Sequence, residues 1–216
     1  MTPLAIFGGT FDPIHFGHLR TAFELLDALR FGEVRFVPAG NPPHRDVPLA
    51  DAELRLALVA AAVADQPGFV VDDREVRRAG PSYAVLTLRE LRAEFPDRPL
   101  CLLLGMDAFL GLPQWHEWRE IPRLAHVVVA HRPGWRAPDG GPLGEMLALC
   151  RTDRVDDLHE ARAGRIYIHP VTQLEISSTD LRDLLAAGQD PRYLVPEAVR
   201  TAIRTTGCYS RPSTQR

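Results

Sequence analysis

Two histidines near the amino terminus are the residues with the clearest chemical potential. His15 and His18 lie three positions apart in GGTFDPIHFGHL, residues 8–19, where Gly8 and Gly9 permit tight backbone geometry and close approach to a ligand. At the opening turn of a helix this spacing puts both imidazoles on one side, where free N–H groups and the helix dipole favour phosphate. The pattern therefore indicates electrostatic catalysis, in which the imidazoles neutralise charge developing on phosphoryl oxygens.

The histidine pair has two other interpretations. Zinc binding would need a third ligand, for which Asp12 is the nearby candidate, and the two histidines could also be ordinary surface residues. The dinucleotide fingerprint G-x-G-x-x-G is excluded, because the glycine spacing differs and no glycine closes the motif.

A second motif, ISSTDLR at residues 176–182, precedes an apolar helix. Ser177 and Asp180 fit a capping box. Arg182 falls one turn beyond Ser178, so hydroxyls, backbone donors and a guanidinium can converge on one anion. A helix cap followed by arginine is common, so this motif gains weight only from its occurrence together with the histidine motif.

The chain contains no lysine: all 25 of its Lys+Arg residues are arginine. This excludes a P-loop, a Schiff-base enzyme and a protein kinase, each of which needs a lysine amine. Arginine is no substitute, because it stays protonated and is not a nucleophile. Phosphate handling must therefore fall on arginine, histidine and backbone N–H groups.

Composition is that of an ordinary globular chain. A net charge of −3 argues against broad nucleic-acid binding, and the apolar runs are far shorter than a membrane span. Three scattered cysteines suit neither a disulfide framework nor a zinc site. We therefore expect a cytoplasmic protein with no nucleic-acid or membrane partner, in which residues 1–209 form a single domain and 210–216 a polar tail.

Short apolar runs alternate with longer amphipathic ones. The spacing predicts strands at 4–7, 34–37, 69–71, 100–104, 127–130 and 166–168, and helices at 16–29, 51–64, 82–95, 178–187 and 196–204. We expect Asp51 and Ser82 to cap their helices and the Gly- and Pro-rich stretch 133–144 to be a mobile loop. The alternation predicts an α/β fold, with a doubly wound, mostly parallel sheet flanked by helices and a small helical carboxy-terminal part. Such sheets bind ligands at the carboxyl ends of their strands.

The two motifs together resemble the H-x-G-H nucleotidyltransferase superfamily. Within it, NPPHR (41–45), GPSYAVLTLREL (80–91), LLGMDAFLGLPQWHEW (103–118), AHRPG (130–134) and the ending at 193–209 resemble the bacterial nicotinate-nucleotide adenylyltransferases over nearly the whole chain. The resemblance implies a Rossmann-like fold. It also explains how a chain without lysine can bind phosphate. The related class I aminoacyl-tRNA synthetases have a lysine-rich loop at the position where this chain has ISSTDLR.

The resemblance implies which residues meet ATP, with His15, His18 and Arg182 as the catalytic set. The implied ATP-binding residues are Gly8, Gly9, Thr10, Phe11, His15, His18, Gly105, Asp107, Ser177, Ser178, Thr179 and Arg182. Asp107 has the alternative of being only a helix cap.

The resemblance also implies which residues meet nicotinate mononucleotide. They are His44, Arg45, Tyr83, Ala84, Asp107, Trp115, His116 and Arg132. Trp115 would stack on the pyridine ring, while backbone N–H groups at 83–84 and 115–116 would receive the carboxylate. The family commonly has Thr where this chain has Ala84, so one hydroxyl donor is missing. A half-buried core aromatic is the alternative for Trp115, and a surface arginine for Arg45 and Arg132.

The implied reaction is transfer of the adenylyl group of ATP to nicotinate mononucleotide, giving nicotinate adenine dinucleotide and pyrophosphate in NAD biosynthesis. We expect Mg²⁺ to arrive with ATP and no metal to be held by protein side chains; oligomerisation is possible. The alternatives are another acceptor (nicotinamide mononucleotide or phosphopantetheine) and a nucleotide sensor without catalysis.

Overall fold

Seven strands form one sheet in the computed structural model, which describes residues 1–43, 47–131, 138–172 and 174–210. Every strand pair found in these ranges is parallel. The strands are β1 (Leu4–Gly9), β2 (Glu33–Pro38), β3 (Phe69–Val71), β4 (Leu100–Gly105), β5 (His126–His131), β6 (Arg151–Thr152) and β7 (Ile166–Pro170). The predicted α/β class is therefore confirmed.

The strand order, β3-β2-β1-β4-β5-β7-β6, makes the sheet doubly wound. The chain first runs outward from β1 to β3 and then returns to place β4 on the other side of β1. The carboxyl ends of β1 and β4 therefore border the switch point, where connecting segments diverge and leave a crevice. The turn bearing the histidine motif and the loop after Gly105 both leave the sheet at this crevice.

Helices cover both faces of the sheet, as the continuous apolar strands require. Along β1, Ala5 packs into one core and Leu4 and Ile6 into the other. The helices are α1 (Phe16–Ala28), α2 (Ala52–Val63), α3 (Arg74–Arg77), α4 (Ala84–Glu94), α5 (Met106–Leu110), α6 (Ile121–Leu124), α7 (Gly141–Cys150), α8 (Asp157–Glu160), α9 (Ser178–Ala186) and α10 (Glu197–Thr206). The last two form the predicted helical carboxy-terminal part, and α10 packs on α2.

The two predicted helix caps have different outcomes. Asp51 caps α2, because its carboxylate accepts the N–H of Leu54 at 2.8 Å. The prediction for Ser82 is wrong: Tyr83 is the cap position of α4. The Ser82 hydroxyl instead accepts the N–H of Asn41 at 3.1 Å, so it joins two loops.

The predicted loop at 133–144 is wrong at its end, because α7 begins at Gly141 with a proline in its first turn, where proline's missing N–H is harmless. Residues 132–137 lie outside the described residues, as do 211–216 of the expected tail. The single domain over 1–209 stays a prediction. Among the described residues, none of the helices combines the length and apolarity needed to cross a bilayer.

Candidate active site

The turn after β1 is shaped by an aromatic ring. Phe11 adopts a positive φ of 50° and is 2% exposed, and its ring lies over Gly9. A Cβ at Gly9 would come within 3.0 Å of that ring, whereas a Cβ at Gly8 would meet nothing within 4 Å. Gly9 is therefore needed for the packing of Phe11, while Gly8 leaves open space toward the cleft.

The two histidines form one stacked unit at the start of α1. Their rings lie 3.7 Å apart between centroids, 27° from parallel. The backbone N–H of His15 donates to Nδ1 of His18 at 3.3 Å. Because Nδ1 accepts, the neutral tautomer of His18 carries its proton on Nε2. The predicted placement of both imidazoles on one side of a helix start is confirmed.

His15 is the buried member of the pair, with 3% of its surface exposed. Burial lowers its pKa from 6.5 to about 4, so the ring is neutral at pH 7. Its Nδ1 is buried without a hydrogen-bond partner among the described residues. A buried, neutral imidazole with an unsatisfied nitrogen is suited to receive a polar ligand group.

Zinc binding loses its third ligand in this geometry. Both carboxylate oxygens of Asp12 accept hydrogen bonds, from the N–H groups of Leu49 and Ala50 and from the hydroxyl of Tyr209. Within the described ranges there is no cluster of three or more His, Cys, Asp or Glu able to hold a metal ion.

The second motif is hydrogen-bonded onto the first. Ser177 caps α9, as predicted, and its hydroxyl accepts the N–H of Asp180 at 3.1 Å. The hydroxyl of Ser178 donates to the carbonyl of Pro13 at 3.0 Å. Arg182 donates to the carbonyl of Asp12 at 2.8 Å and to the hydroxyl of Thr179 at 3.2 Å. These two bonds hold its guanidinium against the histidine turn.

A cleft of about 1580 Å³ opens at the switch point. Its volume exceeds the roughly 300–1,000 Å³ of an ordinary small-molecule pocket, so it has room for two nucleotides. The predicted ATP-binding residues that line it are Gly8, Gly9, Thr10, Phe11, His15, His18, Gly105, Asp107, Ser177, Ser178, Thr179 and Arg182. The structure thus brings this whole set together.

The β4 side of the cleft is formed by the start of α5. Gly105 is the cap position of this helix, and Asp107 lies in its first turn with its side chain exposed. The alternative of Asp107 as the helix cap is therefore wrong. A Cβ at Gly105 would meet nothing within 4 Å, so this edge is open to a ligand.

The predicted pyridine-binding residues lie beyond the lining of this cleft. Tyr83 and His116 stack with ring centroids 4.4 Å apart, which joins the start of α4 to the loop after α5. Trp115 is half-buried and packs against the core. The N–H groups of Tyr83 and Trp115 donate within their own turns, to Pro81 and Leu112.

Ala84 opens α4, where helix N–H groups point outward. The N–H of Ala84 therefore lies at the helix start, whereas the N–H groups of Tyr83 and Trp115 already donate within their own turns. The other predicted residues of this set, His44, Arg45 and Arg132, lie outside the described residues.

Arg55 is a site residue that sequence reasoning missed. It is 1% exposed and donates to the carbonyls of Thr10 at 2.7 Å, Ala50 at 3.1 Å and Gly40 at 3.3 Å. It thus ties the histidine turn to the segment before α2. The available signal was a lone arginine among the apolar residues of the predicted helix 51–64.

Comparison with known proteins identifies the same family that the sequence motifs resemble. A family model described as cytidylyltransferase-like matches residues 6–184. The chain is 53% identical over 207 residues to a probable nicotinate-nucleotide adenylyltransferase of Aeromonas hydrophila, covering 96% of this chain and 97% of the relative. It is 48% identical over 210 residues to a protein of the same description from Acidithiobacillus ferrooxidans, covering 97% and 96%.

Solved structures share the fold. A nicotinic acid mononucleotide adenylyltransferase of Plasmodium falciparum, complexed with NaAD, superposes with a TM-score of 0.73 at 14% identity, over 97% of this chain and 98% of that one. A putative nicotinate-nucleotide adenylyltransferase from Vibrio parahaemolyticus gives 0.66 at 19% identity, over 98% of each chain. At these identities the likeness concerns the Rossmann-like fold alone.

Proposed function

The chain belongs to the nicotinate-nucleotide adenylyltransferases of the cytidylyltransferase-like family, enzymes of NAD biosynthesis, and we propose that its switch-point cleft carries out the adenylyl transfer. The observation that carries this assignment is the docking of one motif on the other. Arg182 donates to the carbonyl of Asp12, three residues before His15, so the guanidinium and both imidazoles line one cleft.

The reaction needs no protein nucleophile. An oxygen of the 5′-phosphate of nicotinate mononucleotide attacks the α-phosphorus of ATP, forming a new P–O bond. The bond from the α-phosphorus to the bridging oxygen breaks, and pyrophosphate leaves with that oxygen. The protein contributes position and charge, since its main task is to bring two polyanions together.

We assign the histidines and Arg182 to the triphosphate. His18 donates through Nε2, and His15 presents a buried nitrogen at the same helix start, while Arg182 adds a permanent positive charge. The hydroxyls of Ser178 and Thr179 bond to Pro13 and Arg182. We therefore assign to these two residues contact with the triphosphate through the backbone N–H groups at the N-terminus of α9, from the opposite side.

We propose that Mg²⁺ enters the cleft bound to ATP. Both oxygens of the buried Asp12 carboxylate already accept hydrogen bonds, so this residue does not fit the role of a metal ligand, and phosphate and water oxygens would hold the cation. When bound, the ion would neutralise part of the phosphate charge. The lack of protein ligands for it stays a prediction.

The acceptor site extends from the cleft toward the Tyr83–His116 stack. We propose that the N–H groups of Ala84 and His116 receive the nicotinate carboxylate and that Trp115 stacks on the pyridine ring. His44, Arg45 and Arg132 remain the predicted contacts to the mononucleotide phosphate. A cytoplasmic location also stays a prediction.

Pyrophosphate release with ATP and each acceptor in turn tests the function. We expect nicotinate mononucleotide to give the highest kcat/KM, ahead of nicotinamide mononucleotide and phosphopantetheine. A higher value with either of the others would reassign the acceptor. ATP binding without release for any acceptor would favour a nucleotide sensor and contradict the proposal.

A further inference from the structure

The carboxy-terminal end of the chain reaches the histidine turn. Helix α10 ends at Thr206, and the left-handed φ of 64° at the following Gly207 reverses the chain. The N–H of Ser210 then donates to the carbonyl of Gly207 at 3.0 Å, closing a turn around Tyr209. This places the Tyr209 ring in the core, 3% exposed.

The Tyr209 hydroxyl meets Asp12 across 197 residues of sequence. It donates to Oδ1 of Asp12 at 2.7 Å, a bond whose two partners are both buried. Burial and the neighbouring Asp12 carboxylate raise the pKa of Tyr209, so the phenol keeps its proton and always donates. The contact is therefore a charge-assisted hydrogen bond from the phenol to the carboxylate.

Asp12 joins two further segments to this contact. Its carboxylate accepts the N–H groups of Leu49 at 2.9 Å and Ala50 at 3.2 Å, which lie just before α2. Its backbone carbonyl accepts Arg182 at 2.8 Å, and Oδ2 lies 4.0 Å from the same guanidinium. The histidine turn, residues 49–50 and Arg182 therefore share one anchor.

We propose that Tyr209 is a positioning residue: its hydroxyl fixes the Asp12 carboxylate, and through it the relative placement of the histidine turn, residues 49–50 and Arg182. This rests on the proposed function of that cleft. Tyr209 itself lies outside the cleft lining and acts only through Asp12. Its loss should loosen groups that stabilise the transition state and leave substrate binding largely intact.

The test compares Tyr209→Phe with the full-length wild type. We expect kcat to fall about tenfold while KM for ATP and for nicotinate mononucleotide changes less than about threefold, because charge stabilisation is lost mainly in the transition state. Asp12→Asn keeps the side-chain volume but faces a backbone N–H with an amide. It should lower kcat further, and adding Tyr209→Phe to it should cost less than in the wild type.

Thr152→Val is the matched control. It removes another hydroxyl-to-carboxylate hydrogen bond, the part-buried one from Thr152 to Asp157 at 2.6 Å, together with the bond that the same hydroxyl accepts from the N–H of Arg154 at 3.1 Å, away from the cleft. We expect the same shift of a few degrees in Tm as for Tyr209→Phe, with kcat within about twofold of wild type. Wild-type kcat in Tyr209→Phe, or equal kcat loss in Thr152→Val, would overturn the proposal.

Three further outcomes can be told apart. If neither Tyr209→Phe nor Asp12→Asn folds, the contact is structural and the positioning role is overturned. If the wild type itself makes no dinucleotide, or His18→Ala leaves its rate unchanged, the proposed function fails instead. Impairment of His18→Ala with wild-type kinetics in Tyr209→Phe would reject the positioning role alone.

Discussion

Gly17, the glycine between the two histidines, offers a perturbation that separates catalysis from folding. It lies in the first turn of α1 and packs against the His15 ring. A Cβ at this position would lie 2.9 Å from Nδ1 and 3.0 Å from Cε1 of His15, with the carbonyl of Ile176 at 3.5 Å. Gly17→Ala therefore adds one methyl group directly against the buried imidazole.

The magnitude follows from those distances. Ordinary contact begins near 3.4 Å, so the His15 ring must move by about half an ångström. A shift of about 1 Å can cost 10²-fold in rate, so we expect kcat to fall by about 10- to 50-fold. Overpacking costs about 1–3 kcal/mol, and alanine's better helix propensity offsets up to about 1 kcal/mol. Net destabilisation should stay below about 2 kcal/mol.

Steady-state pyrophosphate release and urea unfolding measure the two effects. Gly140→Ala is the control, because a Cβ there would meet nothing within 4 Å and the residue lies outside the cleft lining. A wild-type kcat for Gly17→Ala would refute the assignment of His15 to the reacting phosphates. So would an equal loss of kcat in Gly140→Ala.

Three further predictions concern the same groups. His18→Ala should lower kcat by about 10²–10³, the cost of one preorganised donor, and a near-wild-type rate would remove His18 from the catalytic set. Arg182→Lys should also be impaired in kcat, because an ammonium is a single nitrogen without the rigid planar fork whose two nitrogens bond Asp12 and Thr179; full activity would show that charge alone suffices. Because burial lowers the pKa of His15 to about 4, the unfolded chain binds a proton on this residue at a higher pH than the folded chain does. The free energy of unfolding therefore falls as the pH drops from about 6.5 to 4. Between pH 7 and 5, wild type should lose about 2 kcal/mol more free energy of unfolding than His15→Gln, and parallel losses would contradict the burial of a neutral ring.

The fold was predictable because both faces of its sheet are buried. Continuous apolar runs such as 100–104 and 127–130 are typical of central parallel strands, and they lie in β4 and β5. Strand β6 has two residues and no apolar run, so periodicity could not find it. Helices α3, α6 and α8 have four residues each, which is too short for a helical repeat.

The site was predictable where residue type and spacing carry the chemistry. The histidine pair and Arg182 were predicted this way and line one cleft, while their catalytic role stays a prediction. Asp12, Arg55 and Tyr209 were not assigned a positioning role, because the partners that define it (Leu49 for Asp12, Thr10 for Arg55 and Asp12 for Tyr209) lie 37, 45 and 197 residues away along the chain and only the folded chain brings them together. Ser82 has the side chain of a helix cap, but its hydroxyl bonds to Asn41 instead.

The stereochemical course at the α-phosphorus tests direct transfer most sharply. ATP in which sulfur replaces one non-bridging oxygen of the α-phosphate, in one defined configuration, is converted with nicotinate mononucleotide. The configuration at the same phosphorus is then determined in the dinucleotide product. A single in-line displacement by the acceptor phosphate predicts inversion. Retention would require a covalent adenylyl-enzyme and would contradict a cleft that supplies only position and charge, as would the absence of dinucleotide with unmodified ATP.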